Sequence, residues 1–123
     1  MITKINQNVP LNDRGYNKNI KFHIVDEKIM NYCGFHRTYN QWVLCIGITS
    51  TISLNILIDS DFSGKIFVSD DDLMIPYDFQ GDIIKNGSKA SVVSKKTQKI
   101  VYNVLSELTD YKIISGWNYG DYI

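Results

Sequence analysis

The stretch of sequence that decides the fold is Trp42-Val-Leu-Cys-Ile-Gly-Ile-Thr-Ser-Thr-Ile-Ser-Leu-Asn-Ile-Leu-Ile58. Large apolar side chains occupy its even-numbered positions, and Ser50 is the one even position that breaks the pattern. A period of two held over this length predicts strand structure with one face buried. Two interpretations keep the parity. Either residues 49–51 form a three-residue hairpin loop that pairs Ile48 with Ile52, or one long strand bends there.

Shorter strand patterns flank this stretch on both sides. Asn19–Asp26 alternates apolar and polar residues, and Lys65–Val68 follows a polar turn, which predicts a second hairpin. Leu73–Tyr77 is a further short strand pattern in which Pro76 requires an edge or end position. Tyr111–Ile114 is the last strand pattern of the chain.

One amphipathic helix is predicted between Ser88 and Thr109. Its apolar stripe recurs at three- and four-residue spacing and consists of Val93, Thr97, Ile100, Val101, Val104, Leu105 and Leu108. Gly87 offers a break and Ser88 an N-cap, and this start places Lys95 and Lys96 beyond the first turn. Strands, a helix and a last strand predict an α+β fold, with a largely antiparallel sheet packed by one main C-terminal helix.

The chain of 123 residues fits a single domain spanning residues 1–123. Residues 1–18 contain many turn formers and are interpreted as an irregular N-terminal arm. The net charge is zero, so a nucleic-acid partner is not expected, since such binders usually carry a basic surplus. No stretch has the roughly 20 apolar residues of a membrane span, and no membrane partner is expected.

A cytoplasmic location is expected from two further features. The first 20 residues lack the apolar core of a signal peptide. The two cysteines, Cys33 and Cys45, do not make a disulfide framework and are interpreted as reduced thiols.

The segment from Asp59 to Asp70 resembles an EF-hand calcium loop. Its oxygen ligands would be Asp59, Asp61, Ser63 and Asp70, with Gly64 at the sharp turn. The last ligand is Asp rather than the usual Glu, and the flanking segments have strand patterns. The alternative is a polar hairpin turn that uses Asp, Ser and Gly for their turn geometry. We therefore predict no cofactor and keep calcium as the alternative.

Four side chains allow either a zinc site or catalysis: His23, Cys33, His36 and Cys45. The two histidines are a candidate acid–base pair, and Cys33 beside a histidine is a candidate thiolate nucleophile. None of these has a recognisable local signature. Cys45 also fits a packed apolar residue, and His23 fits the wet face of a strand. The sequence therefore favours a binding protein over an enzyme, and no catalytic residue is predicted.

Charge is segregated along the chain. The middle is acidic, with Asp59, Asp61, Asp70, Asp71, Asp72, Asp78 and Asp82, and a basic segment follows, with Lys85, Lys89, Lys95, Lys96 and Lys99. An acidic surface attracts a basic partner, although exposed charges also keep strand edges from pairing wrongly. In the C-terminal tail, Trp117 is predicted to cap the core, whereas Tyr119 and Tyr122 are candidate interface anchors.

Small size, a sheet with edges and an acidic middle resemble the small bacterial immunity proteins that neutralise a cognate toxin. The resemblance is to this class and not to a motif. It implies a cytoplasmic binder that covers the toxin's active site with Asp59, Asp61, Asp70, Asp71, Asp72, Tyr119 and Tyr122. The alternatives are a small calcium- or zinc-binding domain, a nuclease-like enzyme, or a nucleic-acid module that uses the lysines of residues 85–99.

Overall fold

The computed structural model describes residues 20–117, so the predicted arm at residues 1–18 lies outside the described part. The strands are β1 (Lys21–Phe22), β2 (His36–Arg37), β3 (Gln41–Gly47), β4 (Ile52–Asp59), β5 (Gly64–Asp70), β6 (Ile75–Pro76) and β7 (Ile114–Ser115). The helices are α1 (Glu27–Tyr32), α2 (Phe79–Asn86) and α3 (Val92–Asp110), with a 3-10 turn at Gly87–Lys89.

The decisive stretch forms a hairpin, which settles the choice left open by the sequence. Strands β3 and β4 pair antiparallel, and the amide of Ile48 donates to the carbonyl of Ile52 at 2.8 Å. Inside the loop, Thr49 Oγ1 accepts from the amides of Thr51 and Ile52 at 3.2 and 3.0 Å. A side-chain oxygen thus satisfies the loop amides, and the turn forms without a glycine.

The sheet confirms the predicted fold class. Five antiparallel strands lie in the order β2-β3-β4-β5-β6, and β1 pairs with β7 in a second, two-stranded sheet. Helix α3 packs on the sheet, so the domain is α+β with one main C-terminal helix.

The core lies between α3 and one face of the five-stranded sheet. The buried side chains of the sheet and of the β3–β4 connection are Trp42, Leu44, Ile48, Ile52, Leu54, Ile56, Ile58, Ile66 and Val68. The opposing helix contributes Val101, Leu105 and Leu108 at three- and four-residue spacing. Each large aliphatic side chain buried in this way stabilises the fold by roughly 1.5–3 kcal/mol.

The predicted strand at Asn19–Asp26 is only partly correct. Strand β1 covers two of its residues, and α1 begins directly after Asp26. The carboxylate of Asp26 accepts from the amide of Lys28 at 2.7 Å and so caps the helix. Met30 on α1 is fully buried, which anchors this six-residue helix to the core.

The region before α3 also differs from the prediction. Helix α2 was not predicted; it begins after Asp78, whose carboxylate accepts from the amide of Gly81 at 3.0 Å. Helix α3 begins at Val92 with Ser91 as its N-cap, because Ser88 belongs to the 3-10 turn. Lys95 is therefore the fourth helical residue and lies in the first turn, contrary to the predicted start.

Strands β6 and β7 are shorter than predicted from the sequence or begin at a different residue. Strand β6 is reduced to two residues at the edge of the sheet, where Pro76 removes no ladder hydrogen bond. Strand β7 begins at Ile114 rather than Tyr111, because the helix end occupies the residues before it. Lys112 adopts a positive φ of 64°, and the amide of Ile113 returns to the carbonyl of Leu108 at 2.9 Å.

Candidate functional site

The predicted aspartates divide into two groups at opposite ends of β5. Asp59 and Asp61 precede Gly64, the first residue of the strand, and Asp70 is its last residue. Seven residues of strand separate the groups by roughly 20 Å. We call residues 59–64 the loop end and residues 70–75 the acidic end.

The loop end is a turn closed by its own hydrogen bonds. The hydroxyl of Ser63 donates to Asp61 at 2.6 Å and to Asp59 at 3.1 Å. Gln41 Nε2 donates to the other oxygen of Asp59 at 2.7 Å. Hydrogen bonds from the Ser63 side chain and amide lower the pKa of Asp61 below its usual range. The carboxylates of Asp59 and Asp61 thus stabilise the turn by accepting these hydrogen bonds.

This geometry corrects the alternative calcium assignment. The twelve residues from Asp59 do not form a single loop, because Gly64 onwards is strand β5. Asp70 pairs with Ile52 at the far end of that strand. It therefore lies too far away to join Asp59, Asp61 and Ser63 around one cation.

A pocket of about 330 Å³ lies between the loop end and β1. Its lining residues are Ile20, Lys21, Phe22, His23, Phe62, Ser63 and Gly64. Gly64 lies against the ring of Phe22, and a Cβ atom there would come within 2.7 Å of the ring carbons. The glycine of the supposed calcium turn is thus required by close packing against β1.

The alternative zinc set is also not assembled. Within residues 20–117, no three His, Cys, Asp or Glu side chains form a group that could hold a metal ion. His23 Nε2 lies 3.3 Å from Ser115 Oγ on β7, whereas His36 lies on β2 opposite Val43. Cys45 is exposed on β3, so the expectation that it packs inside is wrong.

The thiol of Cys33 does not have the environment of a nucleophile. It ends α1 and is partly buried. Burial, and to a smaller extent the nearby charge of Glu107, raises the pKa of Cys33 above its ordinary value. Its thiolate is therefore disfavoured at neutral pH, which argues against the candidate activated thiolate.

The acidic end is held by a network of hydrogen bonds. Asp70 Oδ1 accepts from the amides of Asp72 and Leu73, both at 3.1 Å. Asp71 accepts from the hydroxyls of Ser53 at 2.8 Å and Ser69 at 2.7 Å. These contacts fix the chain direction after β5 and tie the segment to serines on β4 and β5.

The charge at the acidic end follows from the same contacts. Hydrogen bonds from Ser69 and then Ser53 lower the pKa of Asp71 below its usual range, which keeps this carboxylate ionised. Asp71 and Asp72 are exposed, and Asp70 is half-buried. The segment therefore presents negative charge to solvent.

Three large apolar side chains follow directly and are also exposed. Leu73 is 65% exposed, Met74 is 86% exposed and Ile75 is 50% exposed. Met74 also adopts a positive φ of 58°, which is rare for a residue with a side chain of this size. The sequence prediction named the aspartates but missed these neighbours, although the run Asp-Asp-Asp-Leu-Met-Ile was visible.

The predicted aromatic anchors Tyr119 and Tyr122 lie outside the described residues. Trp117 is partly buried against the core, as predicted, and meets Tyr102 edge to face at 5.8 Å between ring centroids. No helix in residues 20–117 has the length and apolar character needed to cross a membrane. No family model matches this chain, and no curated protein or solved structure matches it either.

Proposed function

We propose that this chain is a protein-binding, immunity-type protein that neutralises a cognate toxin in the cytoplasm by covering its active site. The acidic end, residues 70–75, is the proposed contact surface. One observation carries this proposal: three aspartates and three exposed large apolar side chains are adjacent in a single hydrogen-bonded segment.

The apolar side chains supply the affinity in this proposal. When a partner removes exposed apolar surface from water, the free energy of the complex falls by roughly 25 cal/mol for each Å² that is buried. Met74 and Leu73 are the most exposed of the three, so their burial can contribute the most to the binding free energy. Apolar anchors surrounded by charge are typical of specific protein interfaces.

The carboxylates supply orientation and speed. A nuclease-type toxin has a basic active site, because its substrate carries phosphates. Negative charge on the binder steers such a partner and raises the association rate at low salt. The bonds from Ser53 and Ser69 hold Asp71 in place before the partner arrives, which reduces the ordering cost of binding.

The loop end, with Asp59 and Asp61, is not part of the proposed contact. It lies about a strand length away, and it exposes one large apolar side chain, Phe62, where the acidic end exposes three. Tyr119 and Tyr122 remain predicted anchors. An interface that includes either tyrosine is compatible with the proposal.

The first test is to read the gene directly upstream, which this proposal expects to encode a protein with a small toxic C-terminal domain; that domain is then the probe. Co-expression of this chain is expected to restore growth, and calorimetry is expected to show a one-to-one complex. Met74→Ser should weaken binding about 30-fold, the scale of an interface hot spot. Asp72→Asn should mainly slow association and reduce its salt dependence.

The loop end provides matched controls, because it also presents an exposed aspartate beside an exposed apolar residue, Asp61 and Phe62. Asp61→Asn and Phe62→Ser should leave affinity within about twofold of wild type. The proposal is wrong if no toxic domain is encoded there, if the domain is not bound, or if the loop-end variants weaken binding more than the acidic-end variants.

A further inference from the structure

The outer edge of β3 is paired along only part of its length. Strand β2 pairs with Trp42 and Val43 at the start of β3, and β3 then continues to Gly47. Within residues 20–117, no strand pairs with the rest of β3 on this side. We call residues 45–47 the open edge.

The backbone groups of the open edge point away from β4. In an antiparallel pair, residues that exchange hydrogen bonds with the neighbouring strand alternate with residues whose amide and carbonyl point to the other side. The amide of Ile48 donates to the carbonyl of Ile52, so the even-numbered residues of β3 bond to β4. The amides and carbonyls of Cys45 and Gly47 therefore point outwards. Both residues are exposed, and in the glycine the exposed surface is the backbone itself.

The open edge lacks the features that usually protect the edge of a sheet. Proteins protect such edges with charged side chains, with prolines or with very short edge strands. From residue 38 to residue 58 the sequence contains no Asp, Glu, Lys, Arg or Pro. The opposite edge of the sheet is different, because β6 is two residues long and contains Pro76. The open edge is thus the side on which another strand can be added.

One core-facing side chain of β3 is left partly uncovered at the open edge. The other even-numbered side chains of this arm, Trp42, Leu44 and Ile48, are buried. Ile46 is only half-buried, although it packs against the same core. It lies midway along the open edge, so a strand added there removes more of its apolar surface from water.

We infer that the open edge pairs with the open edge of a second copy of this chain, antiparallel and across a twofold axis that passes between the two Ile46 residues. In this register Cys45 of each copy lies opposite Gly47 of the other, and each such pair exchanges both of its N–H···O hydrogen bonds. The two Ile46 side chains pack against each other at the axis. The two five-stranded sheets then become one continuous sheet.

The symmetry of the open edge favours a second copy over an unrelated extended segment. Its outward groups lie evenly on both sides of Ile46, so an identical chain matches every donor with an acceptor and covers two open edges in one contact. The pairing ends at Ile48, because residues 49–51 turn each chain towards its own β4. At the other end, the place beside Val43 is already occupied by His36 of β2.

The contact closes at two copies, because a twofold axis uses each open edge once. It is short, so we expect a weak dimer. The acidic end remains accessible in both copies, since it follows β5 and β4 separates β5 from β3. The inference therefore goes beyond the proposed function and does not depend on it.

The association is tested with the full chain alone. Sedimentation velocity between about 5 and 500 µM should show a monomer–dimer equilibrium. Because the open edge contains no charged side chain, raising the salt from about 25 to 500 mM should change the dissociation constant by no more than about twofold. Charge-driven association would weaken much more over this range.

Two variants at Gly47 test the hydrogen bonds of the open edge. Gly47→Pro removes an amide that points outwards and leaves the bonds to β4 in place, so it should raise the dissociation constant at least about tenfold. Gly47→Ala keeps the amide, and its Cβ atom meets no atom closer than Thr49 O at 3.9 Å. This matched control should dimerise within about threefold of wild type. Urea unfolding checks that both variants are folded.

Cysteine cross-linking tests the register, in a Cys33→Ser background. Gly47→Cys places a thiol opposite Cys45 of the second copy, with about 5.5 Å between Cα atoms, and mild oxidation with diamide should join the two chains. Cys45 alone should not cross-link, because the two copies of this residue are diagonal to each other, beyond the reach of a disulfide. Val43→Cys, on the same face of β3 but beside β2, is the matched control and should not cross-link either.

The inference is overturned if the wild-type chain stays monomeric, if it forms larger polymers, or if Val43→Cys cross-links as readily as Gly47→Cys. Slow hydrogen exchange of the Cys45 and Gly47 amides in the dilute monomer would also overturn it, since a segment of the same chain would then cover the open edge. A monomeric chain that still binds the proposed toxin partner would overturn this inference alone and leave the proposed function standing.

Discussion

The two ends of strand β5 contain the same kinds of residue but expose different chemistry. At the loop end, Asp59 and Asp61 accept hydrogen bonds from Ser63, and Asp59 also accepts one from Gln41. The turn packs against β1. At the acidic end, aspartates fix the chain direction while three apolar side chains extend into solvent. Aspartate count therefore does not define a contact surface. The two ends differ in the amount of apolar surface that they expose, which is larger at the acidic end.

The largest change in the free energy of unfolding is expected from a buried side chain in β5, the strand that connects the loop end to the acidic end. Ile66, in the middle of β5, is fully buried between the ends. Ile66→Ala should lower the free energy of unfolding by about 2–5 kcal/mol, because it leaves a cavity in the core. Urea unfolding measures the change.

Lys65→Ala is the matched control on the exposed side of the same strand. It should change the free energy of unfolding by no more than about 0.5 kcal/mol. A similar loss in both variants would show that β5 is not anchored by the face that the structure buries.

A smaller effect, confined to the loop end, is expected from Gly64→Ala. The new Cβ atom would come within 2.7 Å of the buried Phe22 ring, so β1 must shift. Overpacking of this kind costs about 1–3 kcal/mol of the free energy of unfolding. If the proposed toxin partner binds the acidic end, its affinity should not change, and calorimetry on the folded variant checks this.

Gly47→Ala is the corresponding control on β3. Its Cβ atom would meet no atom closer than Thr49 O at 3.9 Å. The free energy of unfolding should stay equal or rise slightly, because alanine reduces the freedom of the unfolded chain. A loss as large as that of Gly64→Ala would contradict the close approach to Phe22.

The smallest effect is a dependence on pH that both ends should share. Hydrogen bonds lower the pKa values of Asp61 and Asp71 in the folded chain. Each therefore stabilises the fold fully above its unfolded pKa near 4, and this contribution is lost as pH falls through the lower folded value. Asp61→Asn and Asp71→Asn should each flatten the decline of stability as pH falls below about 4, the ordinary pKa of an aspartate.

Urea unfolding across this pH range measures the decline. Similar flattening in the two variants is expected, since both carboxylates accept serine hydrogen bonds. If only one variant flattened the profile, the two ends would differ in their electrostatics as well as in their apolar surface.

The sheet and α3 could be predicted because their side-chain periods are long. The even-numbered positions from Trp42 to Ile58 share one face through both arms of the hairpin, so the burial pattern survives the loop. Helix α3 spans 19 residues with a continuous buried stripe. Repetition of this length leaves few other structures for the sequence to adopt.

The short helices and the separation of the aspartates could not be predicted in the same way. Helices α1 and α2 have six and eight residues, too few for a clear period, although the caps Asp26 and Asp78 were local signals. Gly64 fits both a calcium turn and a strand start, and only its contact with Phe22 decides between them. The exposure of Met74 depends on tertiary packing, which no local pattern contains.

The most direct test of the central claim is hydrogen exchange of this chain, free and bound to the toxin domain that the proposal expects as its partner. We expect slower exchange for the amides of residues 70–75 in the complex and unchanged exchange for residues 59–64. Slower exchange at the loop end with no change at the acidic end would contradict it, since the partner would then contact the wrong end of β5.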